Sequence, residues 1–176
     1  MYIACMTLYF AGLTLYLFIF RAKHPVKVHV WGGISWEGRT PIVIFEGVMN
    51  AEGYESILRQ TLPPFLHDVY PRGHRLMQDN DPKHTSNRVA QFLQAQRINW
   101  WKTPPESPDC NPIENLWHEL KEFLRREVKP SGKQQLIDGI TQFWETVDVV
   151  KCRKYIRHLK KVVPRVIEFQ GGPTGY

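Results

Sequence analysis

The sequence predicts an α/β domain with a mixed sheet and helices packed on it, and three observations lead to that prediction. Residues 26–47 read as two β-type runs of alternating side chains. Strand-like and helix-like segments then alternate as far as residue 101. From residue 111 onwards, apolar residues recur at helical spacing only. Strands first, strand–helix units next and helices last is the order expected of this class.

The first twenty residues stand apart from this pattern because they carry no charged side chain, the first being Arg21. Twenty helical residues span about 30 Å, the thickness of a bilayer's hydrocarbon core. We therefore expect residues 1–22 to form an apolar helix apart from the domain, with residues 1–20 as a candidate membrane contact and 24–176 as the domain. The alternative is an unusual start attached to a soluble domain.

The front half of the domain contains the β-type runs and two helices. Gly38, in the turn WEGRT, suits the positive φ that a hairpin turn requires. Asn50 suits the N-cap of the first helix. The expected elements are two strands within 26–47, a short helix that ends at Pro63-Pro64, a strand over 74–79, a helix capped by Thr85 or Ser86, and a strand over 98–101.

The second half is expected to be helical after the proline-rich loop 103–112. Asn111 suits the N-cap of a helix with Pro112 at its first position, where a missing N–H costs nothing. Ser131 and Gln134 match a capping box for the next helix.

The last helix is strongly basic, opens at Asp148 and is expected to end at Pro164. Its basic residues form either a solvated outer face or a surface for DNA, and both interpretations stand. The chain as a whole carries a net charge of +6, with a pI of about 9.3. That excess suits a polyanionic partner. The three cysteines are scattered and predict neither a disulfide framework nor a zinc site.

Two carboxylates lie at the ends of predicted elements. Asp79 follows the strand HRLMQ, and Glu114 lies in the first turn of the helix that Asn111 opens. A strand–helix–strand unit of that length returns to the same sheet edge, so we expect the two carboxylates about 4–8 Å apart, close enough to share Mg²⁺ or Mn²⁺. The alternatives are a capping box between Asn111 and Glu114, and an ordinary turn at Asp79.

Several motifs together resemble one known family. The segments VHVWGGISWEGRTPIVIFEG, QDNDPKHTS, SPDCNPIENLWHELK and GGPTGY occur in the order and spacing of the catalytic domain of Tc/mariner-type transposases. The resemblance implies an RNase H-like mixed sheet with flanking and C-terminal helices. It also implies DNA cleavage and joining with two Mg²⁺ or Mn²⁺ ions held by three carboxylates. It places the second carboxylate at Asp79 and the third at Glu114. DNA, a homodimer and a nuclear location are implied as well.

The chain departs from that family at the first carboxylate. The family's first aspartate lies on the first strand, whereas this chain has no aspartate before Asp68. The family's helix-turn-helix region is also not found, so we expect an N-terminally truncated domain without the first strand and without catalytic activity. The alternatives are a DNA-binding remnant that uses Lys83, His84 and Arg88, and a membrane-tethered protein.

Overall fold

The computed structural model describes residues 8–9, 17–18, 27–71, 73–102 and 111–169. The strands in these residues are β1 (Leu8–Tyr9), β2 (Leu17–Phe18), β3 (Lys27–Trp31), β4 (Ile34–Ser35), β5 (Gly38–Arg39), β6 (Val43–Phe45), β7 (Leu76–Gln78) and β8 (Trp100–Lys102). The helices are α1 (Ala51–Val69), α2 (Asn87–Ala95), α3 (Pro112–Phe123) with a π-helical turn (Leu124–Val128), α4 (Lys133–Glu145) and α5 (Val149–Glu168). From residue 26 onwards the predicted order of strands and helices is confirmed.

The described strands form a mixed sheet in the order β5-β4-β1-β7-β8, beside a three-stranded group in the order β2-β3-β6. β7 pairs in parallel with β8 and with β1, while β4 pairs antiparallel with β1. Tyr9 lies opposite Met77 on one side and Ile34 on the other. β1 is therefore an inner strand of the sheet.

This position of β1 corrects the expectation of an apolar helix over residues 1–22. Leu8–Tyr9 and Leu17–Phe18 are strands, and Leu17 pairs with Val28 of β3. The expectation that the first strand is missing is also wrong. An uncharged apolar run suits a strand buried on both faces as well as it suits a membrane helix. The other residues of the segment lie outside the described part of the chain.

No helix within the described ranges is long and apolar enough to span a bilayer.

Two buried clusters hold the helices in place. One cluster joins β3 and β4 to α3, α4 and α5, and the other joins α1 and α2 to β7. In the first cluster the rings of Trp117 and Trp144 stack 5.5 Å apart. A Cβ at Gly32 would lie 2.9 Å from the Trp144 ring, so a side chain there would displace that stack.

Helix starts follow the predicted caps more closely than helix ends do. The Asn50 and Asp148 side chains accept hydrogen bonds from Gly53 N–H and Lys151 N–H, as expected. Gly38 has the expected positive φ of 136°. The predicted stops are wrong: α1 runs through Pro63-Pro64 to Val69, and α5 runs through Pro164 to Glu168.

Burial explains why α1 continues past its prolines. An internal proline removes a backbone hydrogen bond, at a cost of about 3 kcal/mol. Leu62 and Leu66, on either side of the prolines, are 0% and 5% exposed. Fully burying a leucine contributes about 1.5–3 kcal/mol each, which is comparable to the loss.

The predicted capping box at Ser131 and Gln134 is also wrong. Gly132 is the N-cap of α4 and makes no side-chain cap. Gln135 instead accepts hydrogen bonds from the Ser131 N–H and hydroxyl, at 2.8 Å each. Helix α4 begins one residue later than predicted. The glutamine that contacts Ser131 is therefore Gln135 and not Gln134.

Candidate carboxylate site

Asp79 follows the last residue of β7, at the carboxyl end of a parallel strand. The turn after it is held by backbone donors. Asp81 N–H donates to Asp79 Oδ1 at 3.1 Å, and Lys83 N–H donates to Asp81 Oδ1 at 3.0 Å. This is the Asx-type turn that Asn-Asp-Pro favours, so the turn alternative and the site hypothesis describe the same residues.

A buried polar network lies beneath Asp79. Tyr54 of α1 donates its O–H to Gln78 Oε1 at 3.0 Å, and Gln78 Nε2 donates to the backbone oxygen of His84 at 2.9 Å. The Tyr54 and His84 ring centroids are 4.0 Å apart. His84 Nδ1 contacts Asp79 Oδ1 directly. Since a carboxylate only accepts, Nδ1 must carry the proton in this contact.

The network has its polar groups satisfied inside the protein. Gln78 is 0% exposed and His84 is 2% exposed. Burial raises the pKa of Tyr54 well above its usual range, and the Asp79 and Asp81 carboxylates raise it further. Tyr54 therefore keeps its proton and stays a donor to Gln78. The result is a fixed orientation for His84 and, through it, for Asp79.

Glu114 lies in the first turn of α3 and is half-buried. The Asn111 side chain makes no cap hydrogen bond there. Within the described residues the Glu114 carboxylate has neither a hydrogen bond nor an ion pair, so the capping-box alternative finds no support. Ile113, Leu116 and Trp117, all 0% exposed, anchor the helix that presents it.

Electrostatics connects the two carboxylates. Burial raises the pKa of Glu114, the Lys121 ammonium opposes that rise, and the negative charge of Asp79 adds to it. Asp79 and Glu114 thus lie within each other's electric field, as expected for side chains at one sheet edge. Their predicted separation of about 4–8 Å stays a prediction.

The three residues expected to contact DNA have different surroundings. The Lys83 ammonium pairs with Asp81. Partial burial alone would raise the pKa of Asp81, but the Lys83 hydrogen bonds outweigh it and lower that pKa. Arg88 Nε lies 2.5 Å from Glu55 Oε2 and ties α2 to α1. His84 is buried. Their contact with DNA stays a prediction. In this structure Lys83 and His84 support the loop around Asp79, and Arg88 supports the packing of α2 on α1.

β1 completes the surroundings of the site but brings no acidic side chain. It lies beside β7, with Tyr9 opposite Met77, two residues before Asp79. The sequence contains no aspartate or glutamate before Glu37. In the described part of the chain, no three His, Cys, Asp or Glu side chains form a group that could hold a metal ion. Asp79 and Glu114 are two carboxylates, whereas a site for two metal ions requires further ligands.

Sequence reasoning missed Tyr54 and Gln78 as parts of the site. Tyr54 fits the apolar face of α1, and Gln78 stands among strand residues with no partner visible in the sequence. One signal was available, because a glutamine within a buried strand requires a hydrogen-bonding partner.

Comparison with known proteins identifies the family of the chain. A family model described as DDE superfamily endonuclease matches residues 7–137. The transposase of transposable element Tcb1 from Caenorhabditis briggsae is 34% identical over 150 residues, which cover 85% of this chain and 55% of that protein. The transposase of Tc1 from Caenorhabditis elegans is 31% identical over the same shares. The chain spans about half the length of these relatives.

Solved structures confirm the fold. The Mos1 transposase catalytic domain with raltegravir and Mn has a TM-score of 0.81 at 17% identity and covers 96% of this chain and 84% of that one. A Mos1 paired-end complex with the left transposon end gives 0.79 at 15% identity, covering 95% and 56%. The RNase H-like fold is therefore shown. With the family model matched over most of its length, this chain belongs to the DDE superfamily endonucleases, in the Tc/mariner group of transposases.

Proposed function

We propose that this domain binds DNA but, with its present side chains, neither cleaves nor joins phosphodiesters. The observation behind the proposal is the strand β1. It lies beside the strand that presents Asp79, yet no acidic residue precedes Glu37. Two-metal phosphodiester chemistry requires ligands that hold one ion near the attacking oxygen and another near the leaving oxygen. Asp79 and Glu114 alone do not supply that set.

A single divalent ion fits the residues better than two. Carboxylate oxygens are the ligands that Mg²⁺ and Mn²⁺ prefer. Glu114 is half-buried, and a cation shared with Asp79 would offset the burial that raises the pKa of Glu114. His84 and the Asp81 N–H both contact Asp79 Oδ1, which leaves Oδ2 as the oxygen for an ion. We propose weakened Mg²⁺ or Mn²⁺ binding by Asp79 and Glu114.

DNA is the partner that the charge and the family favour. The net charge of +6 suits a polyanion. Among the structural relatives, Mos1 transposase was solved with a transposon end. We therefore propose that this chain binds DNA. We also propose a nuclear location, where that DNA would be found. A membrane-tethered role is not pursued, because the two described pieces of the apolar segment are strands.

Plasmid nicking tests the loss of chemistry. The purified protein is incubated with supercoiled plasmid in Mn²⁺ beside an Asp79→Ala control. We expect the same background nicking from both proteins. Metal-dependent nicking by the original chain that disappears in Asp79→Ala would contradict the proposal.

A gain-of-function variant makes this test sharper. Ala11 follows Tyr9 by two residues, as Asp79 follows Met77 by two, and Tyr9 pairs with Met77. Ala11→Asp therefore tests whether a carboxylate two residues beyond β1 restores the chemistry, and Ala11→Asn is its uncharged control of similar size. We expect nicking from Ala11→Asp only, and its loss when Asp79→Ala is added.

A further inference from the structure

Helix α5 has an unusual charge distribution. Seven lysines and arginines lie between Asp148 and Glu168, with no acidic residue among them. Two of the seven are used inside the domain. Lys151 Nζ lies 2.7 Å from Glu119 Oε1, and an Arg153 guanidinium nitrogen lies 3.0 Å from Glu37 Oε2. Lys154, Arg157 and Lys161 have no such ion pair among the described residues and need a different explanation.

Three of these cations, Lys154, Arg157 and Lys161, form what we term the α5 stripe. They are three and four residues apart, so they lie on one face of the helix. All three are exposed, and among the described residues none has an acidic side chain within ion-pair distance. Arg165 follows four residues later on the same face. From Lys154 to Lys161 the stripe is about 10 Å long.

Aromatic rings hold two of the stripe's side chains in place. The Arg157 guanidinium lies 5.1 Å from the Trp36 ring centroid, and the Lys154 ammonium lies 5.4 Å from the Tyr155 ring. Arg153 contacts Trp36 from the same helix, at 5.2 Å, and donates to its backbone oxygen. Such contacts restrict long side chains and reduce the entropy lost when they bind a partner.

We propose that the α5 stripe binds the phosphate backbone of duplex DNA, without sequence preference and without a divalent ion. This surface specifies where the proposed DNA binding takes place and rests on that function. Each strand of B-DNA carries one phosphate per about 3.4 Å of axis, so a stripe of about 10 Å can contact about three phosphates in line.

The packing of α5 favours DNA over an anionic membrane surface. A helix that binds a bilayer inserts an apolar face below its basic one. The apolar face of α5, formed by Cys152, Ile156, Leu159 and Val162, is buried within the domain. The exposed Ile167 is six residues beyond Lys161 and lies on another side of the helix from the stripe, whereas the exposed Val150 lies on the same side near the helix start. A phosphate backbone requires only the cations.

The test compares two triple variants of the whole chain. The stripe variant removes the three positive charges of the α5 stripe, with Lys154→Gln, Arg157→Gln and Lys161→Gln. The control variant removes three positive charges at other exposed positions, with Arg125→Gln, Arg126→Gln and Lys129→Gln. Binding to a random-sequence duplex is measured by fluorescence anisotropy in EDTA from 50 to 200 mM salt. Matched thermal melts show that both variants fold.

Loss of three phosphate contacts should make the slope of log K against log salt shallower by about 3, and weaken binding at least tenfold at low salt. We expect this of the stripe variant only. Equal losses in both variants would assign the effect to net charge and overturn the proposal, as would wild-type binding by the stripe variant. Stripe-dependent sedimentation with phosphatidylserine vesicles, without DNA binding, would also overturn it and favour a membrane surface.

The result is separable from that of the proposed function. Wild-type nicking would overturn the proposed loss of chemistry and leave the stripe intact. If the stripe variant binds DNA as the original chain does and the original chain does not nick, the stripe proposal fails and the proposed loss of chemistry stands.

Discussion

Asp79 and Glu114, the two carboxylates of the proposed site, are held by different kinds of structure. Asp79 is oriented by polar contacts, from His84 and from the Asp81 N–H, above the buried Tyr54–Gln78 pair. Glu114 is presented by a helix held by apolar packing, and its own carboxylate has no described partner. The polar support fixes one carboxylate without a metal. The apolar support leaves the other half-buried and costly to ionise.

The difference indicates how such a site can lose function without losing its fold. Apolar packing of α3 depends on buried tryptophans and leucines that do not require a metal. The Asp79 loop satisfies its own hydrogen bonds. Neither support depends on a carboxylate from β1, so the strand can keep its place in the sheet while it carries only apolar residues.

Removing the apolar support should have the largest effect. Trp117 is 0% exposed and stacks on Trp144 at 5.5 Å. We expect Trp117→Ala to lower the free energy of unfolding by about 3–5 kcal/mol, from lost burial and the cavity left behind. Chemical denaturation measures this, and Trp117→Phe should lose clearly less. A loss below about 1 kcal/mol would show that packing does not hold α3.

Breaking the polar support should cost less. Tyr54→Phe removes the donor to Gln78 Oε1, which stays buried, so we expect a loss of about 1–3 kcal/mol. Urea denaturation of Tyr54→Phe, Gln78→Leu and the double variant isolates the pair. The double variant should lose less than the sum of the single ones. Additive losses would mean that the two side chains act independently.

The cap of α2 offers a smaller test of the polar side. Ser86 Oγ accepts a hydrogen bond from Val89 N–H at 3.3 Å and closes the loop that begins at Asp79. Ser86→Ala should lower the unfolding free energy by about 1 kcal/mol, whereas Ser86→Thr keeps the acceptor and should lose less. Equal unfolding free energies for the two variants, measured by thermal melts, would show that this cap does not stabilise the protein.

Glu114→Gln should change the unfolding free energy least, and it should raise that free energy rather than lower it. Burial raises the folded-state pKa of Glu114, so the folded protein keeps this proton to higher pH than the unfolded chain does. The unfolding free energy therefore falls as pH rises through the folded pKa. Glutamine does not ionise, so the variant should be more stable at pH 7, by at most about 1 kcal/mol.

The difference between Glu114→Gln and the original chain should vanish near about pH 4, below the usual glutamate pKa. Melting temperatures across this range give the comparison. Added Mn²⁺ should stabilise the original chain more than the variant. A variant that is less stable at neutral pH would mean that Glu114 has a favourable partner.

Much of the fold and the site could be predicted because local chemistry fixes it. Asn50, Asp148 and Gly38 act within a few residues of themselves, and their predicted roles are confirmed. The family assignment rests on motifs of the same local kind and is confirmed too. Asp79 and Glu114 were both placed correctly at the ends of their elements.

The failures involve choices that distant parts of the chain make. The apolar N-terminal run became strand rather than helix because β4 and β7 offer it paired edges. Pro63 and Pro164 did not end their helices. The Tyr54–Gln78 contact joins residues 24 positions apart and has no local signature. Composition and periodicity carry no information about such partners.

The central place of β1 also affects how the protein is made. Leu8 pairs with Leu76, which follows it by 68 positions. At the usual rate of about 5–20 residues per second, a ribosome adds the partner about 3–14 s after the strand itself. β4 can cover one edge of β1 early, but the other edge waits for β7 with its backbone groups unpaired. Newly made copies should therefore depend on chaperones during that interval, and aggregation in the cell should respond to the speed of synthesis more than to the stability of the finished fold.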